Sequence, residues 1–185
     1  MHKGIERNET ALGVIQTSLV PPDAVLIGPS HLRTASQQFT SNAKGAMTWF
    51  HVCLSMFKPQ SLFDTLLRPA IENPHVTSIQ FVLDESQKKL WEAEVMPKIN
   101  LCRGREKVNL PQWKTIHESV SIIVSEVGAS GKTECLLSFW GEPFMARTAE
   151  RNVPRYIFHI QGHSELVTRL VELERNYRFV DQTSK

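Results

Sequence analysis

The stretch LLSFWGEPFM, residues 137 to 146, sets one carboxylate, Glu142, among aromatic and apolar side chains. A carboxylate so placed does chemistry, contacts a ligand, or stands in solvent where Gly141 and Pro143 turn the chain. In the last case Trp140 and Phe144 pack inward from the end of an edge strand. Other chemistry-bearing residue types fail on spacing. GASGKTE contains Gly-Lys-Thr, but a phosphate loop needs a glycine where Glu126 stands, and the segment joins two strands instead of opening a helix. HESVS begins like a zinc-protease signature, yet the second histidine position is Ser121 and the segment alternates like a strand. His159 and His163 have a strand end and a turn between them, a poor arrangement for shared ligation, so no metal site is expected. Ser164, beside His163, reads as a helix cap, because a nucleophilic serine would need a base held against its hydroxyl. His31, His51 and His75 have no evident partners and read as surface or core histidines.

These residues need elements to position them. With 185 residues, 41% of them apolar, the chain can bury a core, and its length predicts one domain over residues 22–180 behind a polar lead-in at 1–21. The 21 basic and 19 acidic side chains nearly cancel, which excludes a strong overall field toward nucleic acid or acidic membranes. The longest apolar runs, VSIIV and ECLLSFW, fall short of the roughly 20 residues that cross a bilayer. No apolar signal core follows MHKGIERNETALG, and the three cysteines lack paired spacing, which points to a reducing cytoplasm. Cys53 and Cys135 sit in apolar runs and read as core thiols. No repeat, low-complexity tract or interdomain linker is evident.

DAVLIGPS reads as a short buried strand and HLRTASQQFTSN as a helix that Ser30 can cap. MTWFHVCLSMF is too continuously apolar for an amphipathic helix and is predicted to be a central strand closed by Pro59. Leu62, Phe63, Leu66, Leu67, Ala70 and Ile71 form one helical stripe, kinked or shortened by Pro69. TSIQFVLD is a strand, and Asp84 with Gln87 forms a capping box opening the helix ESQKKLWEAEVM. NLCRGREKVNLPQWK is expected to be a basic surface loop. SVSIIVSE and TECLLSFW, joined by VGASGK, read as an antiparallel hairpin. RYIFHI is a last strand and ELVTRLVELERNYR a last helix, with Leu166, Leu170, Leu173 and Tyr177 on one face. Alternating strands and helices predict an α/β fold: a mixed, mostly parallel central sheet with helices on both faces.

The order of these elements resembles the phospholipase D superfamily. The likeness rests on PPDAVLIGPSHL with LLRPAIENPHVTSIQFVLDES, on the hairpin IHESVSIIVSEVGASGKTECLLSFWGEP, and on RYIFHIQGHSELVTRLVELERNY. Active members carry His-x-Lys-x-x-x-x-Asp on that hairpin and a Gly-Ser pair after it. His117 takes the histidine position, but the lysine position falls on Ser119, the aspartate position on Val124, and the pair becomes Gly141 with Glu142. The reaction needs a histidine nucleophile, a cation to balance phosphoryl charge and an acid to orient or protonate. A carboxylate at Glu142 would repel phosphate unless paired with a cation such as Arg155 or Arg147.

The resemblance therefore implies a non-catalytic ligand-sensing or protein-interaction module, of the kind that serves as an accessory or regulatory domain in bacterial systems. Trp140, Glu142, Arg155 and His159 are its candidate ligand-binding residues. A phosphorylated small molecule or a partner protein is the expected ligand, and no cofactor is expected. The alternative is a phosphodiesterase or nuclease with His117 as its catalytic nucleophile. It would act as a homodimer because the chain holds one half-site, with a lysine from elsewhere such as Lys114 or Lys132. FWGEPFM could also anchor an assembly contact. The basic residues from Arg103 to Lys107 leave nucleic acid as a further partner, without the aromatic platform that single strands use.

Overall fold

A computed structural model of the chain describes residues 24–27, 32–127, 133–139, 157–160 and 165–179. These form β1 (Ala24–Ile27), α1 (Leu32–Asn42), β2 (Lys44–Phe50), α2 (residues 60–72), β3 (Val76–Asp84), α3 (residues 85–99), β4 (Gln112–Lys114), β5 (Val120–Val127), β6 (Glu134–Phe139), β7 (Ile157–Ile160) and α4 (Glu165–Phe179). The strands make one seven-stranded sheet ordered β1-β7-β6-β5-β2-β3-β4. The architecture is α/β, as expected, but the predicted parallel majority is wrong. Only β2 with β3 and β3 with β4 are parallel, and the other four pairings are antiparallel. Crossover helices govern only the β2-α2-β3-α3-β4 half. On the other side β5 and β6 form a hairpin, β7 adds to it antiparallel, and β1 closes the far edge against β7 instead of lying beside β2.

Two local expectations also change. The run MTWFHVCLSMF leaves the sheet at Phe50: His51 takes a positive φ of 50°, and Leu54–Phe57 wind into a 3-10 turn. Gln112–Lys114, inside the expected basic loop, pair with β3 as the outermost strand.

The prolines in α2 and α3 do not break their helices. A proline lacks the N–H that would bond four residues back, and its ring crowds that residue's carbonyl. Each helix answers with a π-turn just ahead of the proline, at Phe63–Leu67 before Pro69 and at Trp91–Val95 before Pro97. The N–H of Arg68 donates to the Phe63 carbonyl, and that of Met96 to the Trp91 carbonyl. The two helices share the pattern Leu-aromatic-acid, then an aliphatic residue, proline and isoleucine: Leu62, Phe63, Asp64, Leu67, Pro69, Ile71 against Leu90, Trp91, Glu92, Val95, Pro97, Ile99. The expectation of no repeat is thus corrected by a short internal echo, which the shared π-turns bring out.

The sheet separates two cores. On one side Met47, Trp49, Ile79, Phe81 and Leu83 pack with Phe63, Leu67, Trp91 and Val95 of α2 and α3. On the other, Phe50, Val82, Ile122, Val124, Cys135 and Ile160 pack with Val167 and Leu170 of α4. The buried face of α4 is turned by one position from the expected stripe, so Val167, Leu170 and Glu174 are buried while Leu166, Leu173 and Tyr177 flank them. Glu174 accepts a hydrogen bond from Arg178 at 3.0 Å. No helix among the described residues is long and apolar enough to cross a membrane.

One amide fastens the base of the helical layer. The last carbonyls of a helix have no intrahelical donors, and α1 runs into β2 with no glycine to close it. The buried side chain of Asn73 supplies the donors instead, reaching the carbonyls of Thr40 (3.1 Å), Ser41 (3.1 Å) and Ala43 (2.8 Å) while its Oδ1 accepts the His75 N–H at 2.9 Å. Replacing Asn73 by Ala strands those groups away from water, and urea unfolding should show a loss of about 2–4 kcal/mol. A loss inside the scatter of surface substitutions would contradict the assignment.

All three cysteines are buried and free. Burial pushes each thiol up, that of Cys135 to about 12, with Glu174 and Glu134 adding to it. Thiol labelling of the native protein at neutral pH should therefore be slow and become complete only on unfolding. Rapid labelling of even one cysteine in the folded state would refute this.

Candidate functional site

The register brings several chain ends to one edge of the sheet. Phe50 pairs with Val82 on one side and Ile122 on the other, Asp84 with Lys114, Val120 with Phe139, and Ile27 with Ile157. The carboxyl ends of β1, β2, β3, β4 and β6 thus meet the amino ends of β5 and β7. In open α/β sheets the crevice outside the carboxyl ends of parallel strands, where connections diverge, is where ligands bind. Here β2 is the point of divergence, flanked by parallel β3 and antiparallel β5.

His51 follows β2 directly. Its N–H donates to the Val82 carbonyl at 2.8 Å, which fixes the backbone in a left-handed conformation unusual for a residue other than glycine. The ring hydrogen-bonds the backbone at Val120 and Glu118, and the carboxylates of Asp84 and Glu118 lie close enough to act on its charge. Burial dominates these attractions and holds the imidazole below its ordinary value of 6.5.

Asp84 ends β3 and caps the following turn, though not in the predicted box with Gln87, whose Oε1 makes no return bond: the carboxylate accepts the Ser86 N–H at 3.1 Å and the Ser86 hydroxyl. Its other oxygen accepts the Ile116 N–H at 2.9 Å, tying the approach to β5 onto the end of β3. Burial alone would raise the Asp84 carboxyl, but the bonds from Ile116 and Ser86, together with His51, lower it. Beyond Ile116, the His117 N–H donates to the Tyr177 hydroxyl at 3.4 Å, and that hydroxyl donates to Glu118 Oε1 at 3.3 Å. The Tyr177 ring lies 5.2 Å from that of Phe50.

The sequence-derived candidates distribute unevenly. His117 is exposed in the segment leading into β5, at the strand-end edge. Ser119 is exposed two residues on, and Val124 is 1% exposed within the α4-side core. His159 lies inside β7, opposite Leu136 and Val25. Its Nε2 meets Glu134 Oε2 at 3.3 Å and its ring meets Phe39 edge-on at 5.4 Å. Glu134 pairs with Ser125, so this contact faces the end of the sheet opposite His117. Trp140, Glu142 and Arg155 lie outside the described residues, as do Lys132, Arg147, His163, Ser164 and the turn at 128–132.

Sequence reading passed over His51, Glu118 and Tyr177 as site residues, and took Asp84 only as a cap. One signal was available: a histidine interrupting an apolar run where a buried strand must end. Among the described residues no three His, Cys, Asp or Glu side chains converge as metal ligands.

No protein-family model matches the chain, and no curated protein sequence does. Solved structures do share its fold. One is TrmBL2, an archaeal chromatin protein with a novel mode of DNA binding, at a TM-score of 0.51 and 12% identity over 95% of this chain and 60% of that one. Another is phosphatidylserine synthase from Haemophilus influenzae Rd KW20, at a TM-score of 0.55 and 16% identity over 88% of this chain and 38% of that one. The chain spans less than two thirds of either protein, and at these identities the likeness is one of fold.

The lowered His51 carries a pH signature with a definite sign. Its unfolded form binds a proton more readily than its folded form, so its contribution is intact above about 6.5 and diminishes as pH falls through that value toward the folded pKa. His51→Asn keeps a residue tolerant of positive φ and removes the titration. Denaturation of wild type across pH 7.5 to 5 should show a fall in stability that the variant reduces. Parallel curves for the two proteins would sink the claim.

Proposed function

We propose that this chain is a non-catalytic phospholipase D-like domain that senses a ligand or contacts a partner within a regulatory protein. The fold part of this reading draws on phosphatidylserine synthase, a member of the phospholipase D superfamily. The observation that carries it is the environment of β5. Where the family's acid would stand, Val124 is sealed between β2 and β6 against Thr48 and Cys135, and the lysine position is an exposed serine. Neither the charge that stabilises a transferring phosphoryl group nor the acid that protonates a leaving group is supplied from this strand.

The electrostatics of the strand ends point the same way. Asp84 and Glu118 place two carboxylates beside His51, next to the segment carrying His117, where a phosphate would meet repulsion unless a cation such as Arg155 answers its charge. Trp140, Glu142 and Arg155 remain our candidates for ligand contact, following the β6 end and preceding the β7 start that share this edge. The partner is a phosphorylated small molecule held through Arg155, or a protein. The nucleic-acid option draws on the TrmBL2 likeness and on Arg103, Arg105 and Lys107.

A phosphodiester hydrolysis assay on wild type and His117→Ala, paired with thermal-shift screening against nucleotides and phosphorylated metabolites, tests the proposal. Equal, background-level hydrolysis in both proteins and a shift of several degrees with at least one ligand are expected. Turnover that disappears in His117→Ala would overturn the non-catalytic reading and establish the dimeric phosphodiesterase instead.

A further inference from the structure

The strand-end cluster is bonded largely within itself. Both Asp84 oxygens already accept hydrogen bonds, and Glu118 Oε1 is taken by Tyr177. Such a cluster is a joint between elements, and three separate parts of the fold meet in it: the end of β2 through His51, the end of β3 through Asp84, and the end of α4 through Tyr177.

We propose that Tyr177 is a release point coupling the 115–119 segment to the carboxyl-terminal turn of α4, so that a change at the strand-end edge is passed to the last helix. The inference rests on that edge being the sensing site. It deepens the reading by naming how a signal would leave it.

The hydroxyl serves both sides of the joint. It accepts from the His117 backbone and donates to the Glu118 side chain, so the segment before β5 is tied to the helix through one oxygen atom. Both contacts, at 3.4 and 3.3 Å, are longer than the common range for strong hydrogen bonds, as suits a tie that can part. Below it the helix is held differently. Val167 and Leu170 are packed in the core, and Glu174, 1% exposed, is bonded to Arg178. The ring of Tyr177 against Phe50 is a second, apolar attachment of the last turn to the sheet, at the residue preceding His51. Displacement of Glu118 by a ligand or partner at the edge would remove the acceptor and leave the hydroxyl free to turn away. The last turn of α4 would then be held by apolar packing without its hydrogen-bonded tie.

Hydrogen exchange on the free protein reads this without a ligand. Tyr177→Phe retains the ring and deletes the oxygen. It should speed exchange of the His117 amide and of amides in the last turn of α4 about five-fold, the effect of losing one ordinary hydrogen bond, while Ile122 and Val124 in β5 stay unchanged. Glu118→Ala should loosen the same helical turn, and Glu118→Gln, which keeps an acceptor, should leave it near wild type. Unchanged exchange in Tyr177→Phe at the end of α4 would overturn the coupling. So would acceleration spread equally to Ile122 and Val124, which would mark a general loss of stability. Because no ligand enters the measurement, an empty thermal-shift screen would remove the sensing reading while leaving the mechanical coupling to stand or fall by itself.

Discussion

The seam between β2 and β5 is the constraint on which the rest of the molecule depends. On one side lies a parallel array built by crossover helices, and on the other an antiparallel array built by a hairpin. They are joined by antiparallel pairing of Thr48, Trp49 and Phe50 with Val124, Ile123 and Ile122. The side chains alternate strictly, so a slip of one residue would send Trp49 into the α4 core and Phe50 among α2 and α3. The same register sets His51 beside the backbone of Glu118 and Val120, and so creates the polar joint at the strand ends.

Around that seam the two cores are unequal. The α2 and α3 side is aromatic, with Trp49, Phe57, Phe63, Phe81 and Trp91 linked ring to ring. The α4 side is smaller and includes a buried carboxylate, Glu174, whose negative charge helps to keep the Cys135 thiol protonated. Burial of a charge is tolerable only with partners, and Arg178 reaches Glu174 from one turn along the helix. The side that carries this buried ion pair is thus also the side where a helix meets the candidate site.

Much of this was legible in the residues. Apolar runs joined by a glycine-rich turn marked the β5–β6 hairpin, periodicity marked α2 and α4, and capping residues marked α1 and α3. The directions of the strands were not legible, since nothing local in DAVLIGPS tells whether β1 joins β2 or crosses to β7. A three-residue strand such as β4 has no periodicity to detect. His117 could be singled out because it heads an apolar run. His51 offered only the signal of a histidine breaking an apolar run, because what gives it a role comes from Asp84, Glu118 and Val120, all far away along the chain. Tyr177 was hidden for a different reason: its ring fits an apolar stripe, and only the fold shows where its oxygen goes.

The wide turns in α2 and α3 explain a spacing that otherwise looks like a misfit. The buried residues of α2 fall in pairs at 62/63, 66/67 and 70/71, and those of α3 at 91, 95 and 99, in steps of four. An ordinary α-helix completes a turn in 3.6 residues, so side chains four apart would swing by about 40° at each step and leave the sheet. The additional residue taken up by each π-turn cancels that swing. A fourfold beat ahead of a proline is therefore a readable instruction for a helix that widens once and keeps the same face toward its neighbours.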